Sequence, residues 1–184
     1  MRGIAFIALI LAACGGASGG TRASVIGKVD GVPVLATNAA AIVVRTTGTP
    51  SIDVLISNAA DGCAANAANL RGKQVISLGV TSLTGAGLDA GDFGVYDQQS
   101  GNIPKGTVVF ADYHSTTGAC ADSTPPNTLG ASGHVTVTHM ALAAGQSVTG
   151  SFDLLLQNGD HLKGTFDAPV CGDRPDAGPD AGCH

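Results

Sequence analysis

The stretch SVTGSFDLLLQNGDHLKGTFDA, residues 147–168, decides how this chain folds. In its first arm Val148, Gly150, Phe152, Leu154 and Leu156 share one parity, and in its second Leu162, Gly164, Phe166 and Ala168 share the same one. Period-two alternation marks strands with one buried face. Pairing Phe152 with Phe166 sets Leu156 opposite Leu162 and leaves Asn158, Gly159 and Asp160 as a three-residue loop. A two-residue Asn-Gly turn is the stronger local signal taken alone, but it opposes Leu156 to His161 and turns one apolar face outward. Parity therefore predicts the longer loop. In the Gly-Ser-Phe-Asp that begins at Gly150 and the Gly-Thr-Phe-Asp that begins at Gly164, glycine is expected to make room across the strand for a large neighbour while Phe fills the core.

Working outward from this hairpin, the β pattern continues through the chain. Residues 25–29, the Asp30-Gly31 turn and residues 32–36 read as a first hairpin, with Pro33 confining the second arm to an edge. The run 41–45, the alternating Ile52, Val54 and Ile56, and the segments 74–81, 91–96, 106–113 and 134–140 add further strands between glycine and proline turns. Residues 59–70, AADGCAANAANL, break the pattern. They lack β-branched side chains, and Asp61 can cap one short helix with Cys63, Ala67 and Leu70 on its apolar side. Residues 115–132, with Pro125-Pro126 and Cys120, read as a long irregular loop. A loop of that length is uncommon unless it is functional, disordered or stapled. The expectation is a mainly β protein, an antiparallel β-sandwich of about nine strands with one short helix, with a β-barrel as the alternative.

The amino terminus reads as an address. Met1-Arg2 precedes an apolar run over residues 3–13, which is too short for a mature membrane-spanning helix and has the charge and length of a signal peptide. The run ends in Leu11-Ala12-Ala13-Cys14, which resembles the lipobox of bacterial lipoproteins. That resemblance implies removal of residues 1–13, thioether attachment of a diacylglycerol at Cys14 and acylation of the new amino terminus. Such an anchor holds a protein firmly at a membrane surface, because two lipid signals already suffice. Residues 14–23 then serve as the lipid-attachment Cys and a glycine-rich tether, residues 24–171 as the domain, and residues 172–184 as a tail whose repeated Pro-Asp-Ala-Gly cannot bury a core.

Composition narrows the function classes. The chain of 184 residues carries a net charge of −5, has no basic cluster, and becomes one unit more negative once Arg2 is removed. That balance argues against nucleic acid as a partner and against electrostatic binding to anionic lipid. Five Phe, two Tyr and no Trp leave few aromatic platforms for sugars or bases. Charged residues make up only 12% of the chain, a mix more typical of secreted β-proteins than of cytosolic enzymes.

Beyond Cys14, four cysteines remain, Cys63, Cys120, Cys171 and Cys183, and an even number in an exported protein reads as disulfides. Four allow three pairings, and sequence does not choose among them. The preferred set is Cys63 with Cys120 and Cys171 with Cys183. No Cys-x-x-Cys or His-x-x-x-His spacing supports zinc. On the outward face of the last hairpin, Asp153 is expected opposite Thr165 and Asp167 opposite Ser151. With Asp160 and His161, Asp153 and Asp167 are weak calcium candidates, and a solvated polar face is the preferred reading because calcium takes six or more oxygens. Asp89, Asp92 and Asp97 lack the spacing of a calcium loop. Among the histidines, His114, His134, His139, His161 and His184, the pair His134 and His139 lies five apart and is expected on opposite faces of one strand. The Gly-x-Ser-x-Gly elbow of many hydrolases is absent, and Gly130-Ala131-Ser132-Gly133-His134 comes nearest. Ser132 and His134 share a face and form the one hydrolase candidate.

The order of parts resembles that of uncharacterised lipoproteins of myxobacterial type. Its components are the lipobox, the glycine tether, a cysteine-bearing helix, the Ser-Gly-x-Val-Thr-Val-Thr strand at residues 132–138, and the Gly-Thr-Phe-Asp-Ala-Pro-x-Cys ending at Cys171. The resemblance implies location in the cell envelope, at the outer membrane or cell surface, and supplies no activity or cofactor. The expected function is a non-enzymatic, membrane-tethered module that binds another envelope protein or an extracellular polymer or serves a structural role, its contact surface on the loop 115–132. The alternative is a secreted or surface hydrolase using Ser132 and His134.

Overall fold

The computed structural model describes residues 21–46, 49–59, 62–63, 72–102, 104–119 and 121–174. The expected leader, Cys14, Cys120, most of the expected helix and the tail after Arg174, with Cys183, lie outside them. Of that helix, Gly62 and Cys63 form a helical turn.

Ten strands build the protein. In chain order they are β1 (Ala23–Val29), β2 (Val32–Pro33), β3 (Asn38–Thr46), β4 (Thr49–Ser57), β5 (Gln74–Ser82), β6 (Gly91–Gly94), β7 (Thr107–Ser115), β8 (Gly130–His139), β9 (Ser147–Leu156) and β10 (His161–Arg174). They join in the order β6-β8-β9-β10-β3-β4-β5-β7, with β1 on β10 and β2 on β1. The mainly β expectation holds. The sheet is nearly closed and barrel-like, because β6 and β7, at the two ends of the order, meet through the bridge Val95↔Val109. There the Tyr96 ring packs edge-on against Phe110, with centroids 5.6 Å apart. Two contacts depart from the antiparallel rule: the closing bridge Val95↔Val109 is parallel, and β10 runs parallel to β3, Val170 facing Ala41 and Arg174 facing Val44. The strand therefore continues past Cys171, where the domain was expected to end.

β10 is long enough to serve two neighbourhoods. Its first part, from His161 to Pro169, pairs with β9, and Leu162 to Phe166 also pair with β1. Its last residues pass to β3. One apolar interior results, with Ile52, Val54, Ile76 and Leu78 from one side of the closure and Phe152, Leu154, Leu162 and Phe166 from the other.

The hairpin of β9 and β10 keeps its expected parity and changes its register. Phe152 pairs with Gly164, Gly150 with Phe166, and Leu154 with Leu162. The slip from the expected Phe152–Phe166 pairing is two residues, so both apolar faces remain inward. The physical reason is space. A Cβ on Gly164 would sit 2.6 Å from Cζ of Phe152, and one on Gly150 would sit 2.8 Å from Cζ of Phe166. Each ring thus occupies the volume its partner glycine leaves free, where opposed rings would crowd each other and leave voids over the glycines. The connection widens to residues 157–160, closed by the Leu156 amide on the Asp160 carbonyl at 2.9 Å and the Gly159 amide on the Leu156 carbonyl at 2.9 Å.

β3 is buried on both faces, Ala39 to Val43 all being 3% exposed or less. The turn at Gly62 covers part of its outer side, since a Cβ there would lie 2.8 Å from Cβ of Ala40. Cys63 is disulfide-bonded to Cys171, across a sequence separation of 108. This corrects the preferred pairing with Cys120. The parallel run of β10 beside β3 brings Cys171 to the segment that packs on β3, a neighbourhood created by topology.

Candidate functional site

The first hairpin turns through Asp30 and Gly31, with φ of 51° and 76°, the left-handed pair that a two-residue turn with native strand twist requires. Its tip is held by the Asp30 amide, which donates to Oδ2 of Asp160 at 2.7 Å. Its free edge is closed by one side chain. Gln74, at the start of β5, donates from Nε2 to the Pro33 carbonyl at 3.1 Å and accepts from the Leu35 amide at 2.9 Å. A side-chain amide here stands in for a neighbouring strand.

The described residues of the expected irregular loop are held by backbone bridges and hydrogen bonds, and its last three, Gly130 to Ser132, belong to β8. It folds back on β7 through the bridges Thr116↔Asp122 and Asp112↔Leu129. The Tyr113 amide donates to the Thr128 carbonyl at 3.0 Å and the Ser123 amide to the Ser115 carbonyl at 2.9 Å. Thr124 is its hub: the hydroxyl accepts from the Ser115 amide at 3.0 Å and lies 2.8 Å from Nδ1 of His114. The Thr124 hydroxyl and amide also hold the Asp122 carboxyl below its usual range, with a smaller contribution from the charge on His114.

Between this loop and the first hairpin lies an open cleft of about 330 Å³. Ser115, Thr116 and Ser123 line one side and Val29, Asp30 and Val32 the other, with Lys73 and Gln74 between them and the buried Tyr113 behind. The lining mixes hydroxyl and amide groups, one cation and one carboxylate with the apolar Val29, Val32 and Pro125. Such a surface suits hydrogen bonding to a polar chain. The loop was legible in the sequence; Lys73 and Gln74, far from it along the chain, reach the cleft only through the β5–β7 pairing, and Tyr113 belongs to the strand that leads into the loop.

The other candidate residues are placed as follows. Asp153 lies opposite Lys163 and Asp167 opposite Thr149, correcting the expected partners by the same two-residue slip. Nζ of Lys163 is 2.7 Å from Oδ2 of Asp153, and Nε2 of His161 contacts Oδ1. These two groups, Lys163 first, hold the Asp153 carboxyl below its usual range. Asp167 faces Arg22, at 3.9 Å. The two calcium candidates are therefore each engaged by cations and do not converge. Among the described residues no group of three or more His, Cys, Asp or Glu side chains is arranged to hold a metal ion.

No hydrogen bond joins Ser132 to His134. Nδ1 of His134 instead lies 3.5 Å from Oδ2 of Asp92, whose Oδ1 accepts from the Thr136 hydroxyl at 2.9 Å. Asp97 accepts from Nε2 of Gln157 at 3.0 Å, and Asp89 is exposed, so the three carboxylates of that region go separate ways. His134 and His139 do not fall on opposite faces. A register shift between Val137 and His139 sets His139 opposite Thr149, in the same outward row as Asp153, the partner of His134. Both are exposed.

One carboxyl group of the outer surface is unusual. Burial raises Asp112 on β7 above its ordinary range, against the opposing effects of a hydrogen bond from Ser77 and the charge of His114.

The fold and cleft define a barrel-like β protein with an open groove between a pinned hairpin and a pinned loop. No protein-family model, curated protein or solved structure matches the chain.

Proposed function

We propose that this protein is a lipid-anchored module of the bacterial cell envelope that binds, without catalysis, a segment of another envelope protein in the cleft between β1–β2 and the loop 116–129. The observation that carries the reading is the immobilisation of both walls: Gln74 and Asp160 fix the hairpin, and Thr124 fixes the loop. A preformed groove loses little conformational entropy on binding. Its lining of hydroxyl and amide groups beside Val29, Val32 and Pro125 fits a polypeptide, which offers both backbone hydrogen bonds and apolar side chains, and the scarcity of aromatic rings favours a protein over a polysaccharide. Anchoring is supported by the signal-like residues 1–13 and the lipobox that ends at Cys14.

The test begins with the intact mass of the protein purified from its membranes, which is expected to show loss of residues 1–13 and lipid on Cys14. Capture from detergent-solubilised envelope is then compared for the native protein and a Ser123→Trp variant that fills the cleft. A partner lost with the variant supports the reading. Equal capture by both, or labelling of Ser132 by a serine-directed probe, would overturn it.

A further inference from the structure

We propose that the outer face of the β1–β2 hairpin rests on the lipid bilayer, an inference that itself rests on the anchoring at Cys14 proposed above. Large apolar side chains are rarely left open on this protein, and where they are, they concentrate. Among the described residues five are well exposed: Ile26 at 74%, Leu35 at 68%, Val32 at 56%, Leu155 at 41% and Leu83 at 40%. Three of the five lie in this one hairpin. The pairs Lys28↔Pro33 and Val29↔Val32 set its register. The Val34 amide on the Gly27 carbonyl at 3.2 Å continues the hairpin, so Ile26 falls across from Leu35. Ile26, Lys28, Pro33 and Leu35 thus share one exposed face, whereas Val32 has the opposite parity and lines the cleft.

The chemistry of that face suits a membrane interface. Two branched aliphatic side chains and a proline stand beside Lys28, and Ile26 is paired across β1 and β10 with Lys163. Apolar side chains flanked by lysines insert at the acyl boundary while the ammonium groups stay at the headgroups. Lys163 is held by Asp153, whereas Lys28 has no ion pair among the described residues.

Position points the same way. The chain is fixed to the domain from Arg22 onward, whose amide donates to the Thr37 carbonyl at 2.9 Å and whose carbonyl accepts from the Asp167 amide at 2.7 Å. The eight residues between Cys14 and Ala23 can span at most ~28 Å. Ile26 stands three residues further along β1, roughly 10 Å. Lipid on Cys14 would therefore keep this face within reach of the bilayer. A strand-adding protein is disfavoured, because Gln74 already occupies the edge of β2 at Pro33 and Leu35. A second copy of the chain is disfavoured because so few side chains fall well short of the area a stable dimer needs.

The test reconstitutes the full mature protein into phosphatidylcholine vesicles containing phosphatidylglycerol and a phospholipid with a photoactivatable group in its acyl chain. Trypsin cleavage after Arg22, Lys28 and Arg45 then separates the two arms. Labelling is expected on the fragments 23–28 and 29–45, falling by roughly tenfold in an Ile26→Ser/Leu35→Ser variant. Both side chains are exposed, so that variant is expected to keep the native thermal transition, which is measured alongside. Lipid present on Cys14 with label elsewhere in the domain, or with these fragments crosslinked to a second copy, would overturn this inference and leave the anchoring intact. Lipid absent from Cys14 would overturn both.

Discussion

Phe152 lies directly across the sheet from Gly164, its ring filling the volume that any side chain at that position would need. The same glycine also faces the Ser24 carbonyl of β1, so three strands meet at a point with no spare room. Gly164→Ala is expected to destabilise the protein by about 1–3 kcal/mol through overpacking, and Phe152→Ala by about 3–5 kcal/mol through the cavity it leaves. Urea denaturation of the two variants checks both. A Gly164→Ala variant as stable as the native chain would contradict the register described for β9 and β10.

The Cys63–Cys171 bridge makes a second prediction. Digestion of the oxidised protein without reduction is expected to yield the Cys63 peptide joined to the Cys171 peptide, and none in which Cys63 is joined to Cys120. Cys171→Ser is expected to lower stability by about 2–4 kcal/mol, because the crosslink restrains a long stretch of the unfolded chain. Mass spectrometry of the digest and a denaturant titration measure these outcomes.

Asp112 supplies a pH-dependent prediction. Burial raises its pKa from 3.8, so the folded chain holds that proton more tightly than the unfolded chain does. The stability this group contributes is present in full below 3.8 and is lost as pH rises through the raised value. Asp122 and Asp153, whose pKa values are lowered, run the other way and lose their contribution as pH falls. Asp112→Asn isolates the first effect, since the other two groups are common to both proteins. The stability of the variant relative to the native chain is expected to rise with pH from about 3.8 upward, in unfolding curves recorded across the acid range. A flat difference would contradict it.

Thr124 holds the ordered loop to the end of β7 through the Ser115 amide and His114. Thr124→Val keeps the shape and removes the hydroxyl. It is expected to cost about 1 kcal/mol in global stability. Hydrogen exchange should quicken at Ser115, Ser123 and Thr124 while the amides of β4 and β5 stay protected, a local effect readable by mass spectrometry.

Much of this architecture was legible in the chain itself. The parity of Phe152, Leu154, Leu162 and Phe166 determined which faces turn inward, and Asp30-Gly31 determined a tight turn, because both follow from a two-residue period and from local backbone sterics. Only the tertiary structure decided the register that seats Phe152 over Gly164, since a slip of two residues leaves parity untouched and is settled by side-chain volume across the sheet. It likewise decided the partner of Cys63, the parallel run of β10 beside β3, and the meeting of Lys73 and Gln74 with the loop at one cleft. Each of these joins residues far apart along the chain, and such contacts are fixed by which strands lie side by side, a property of packing that no local pattern encodes.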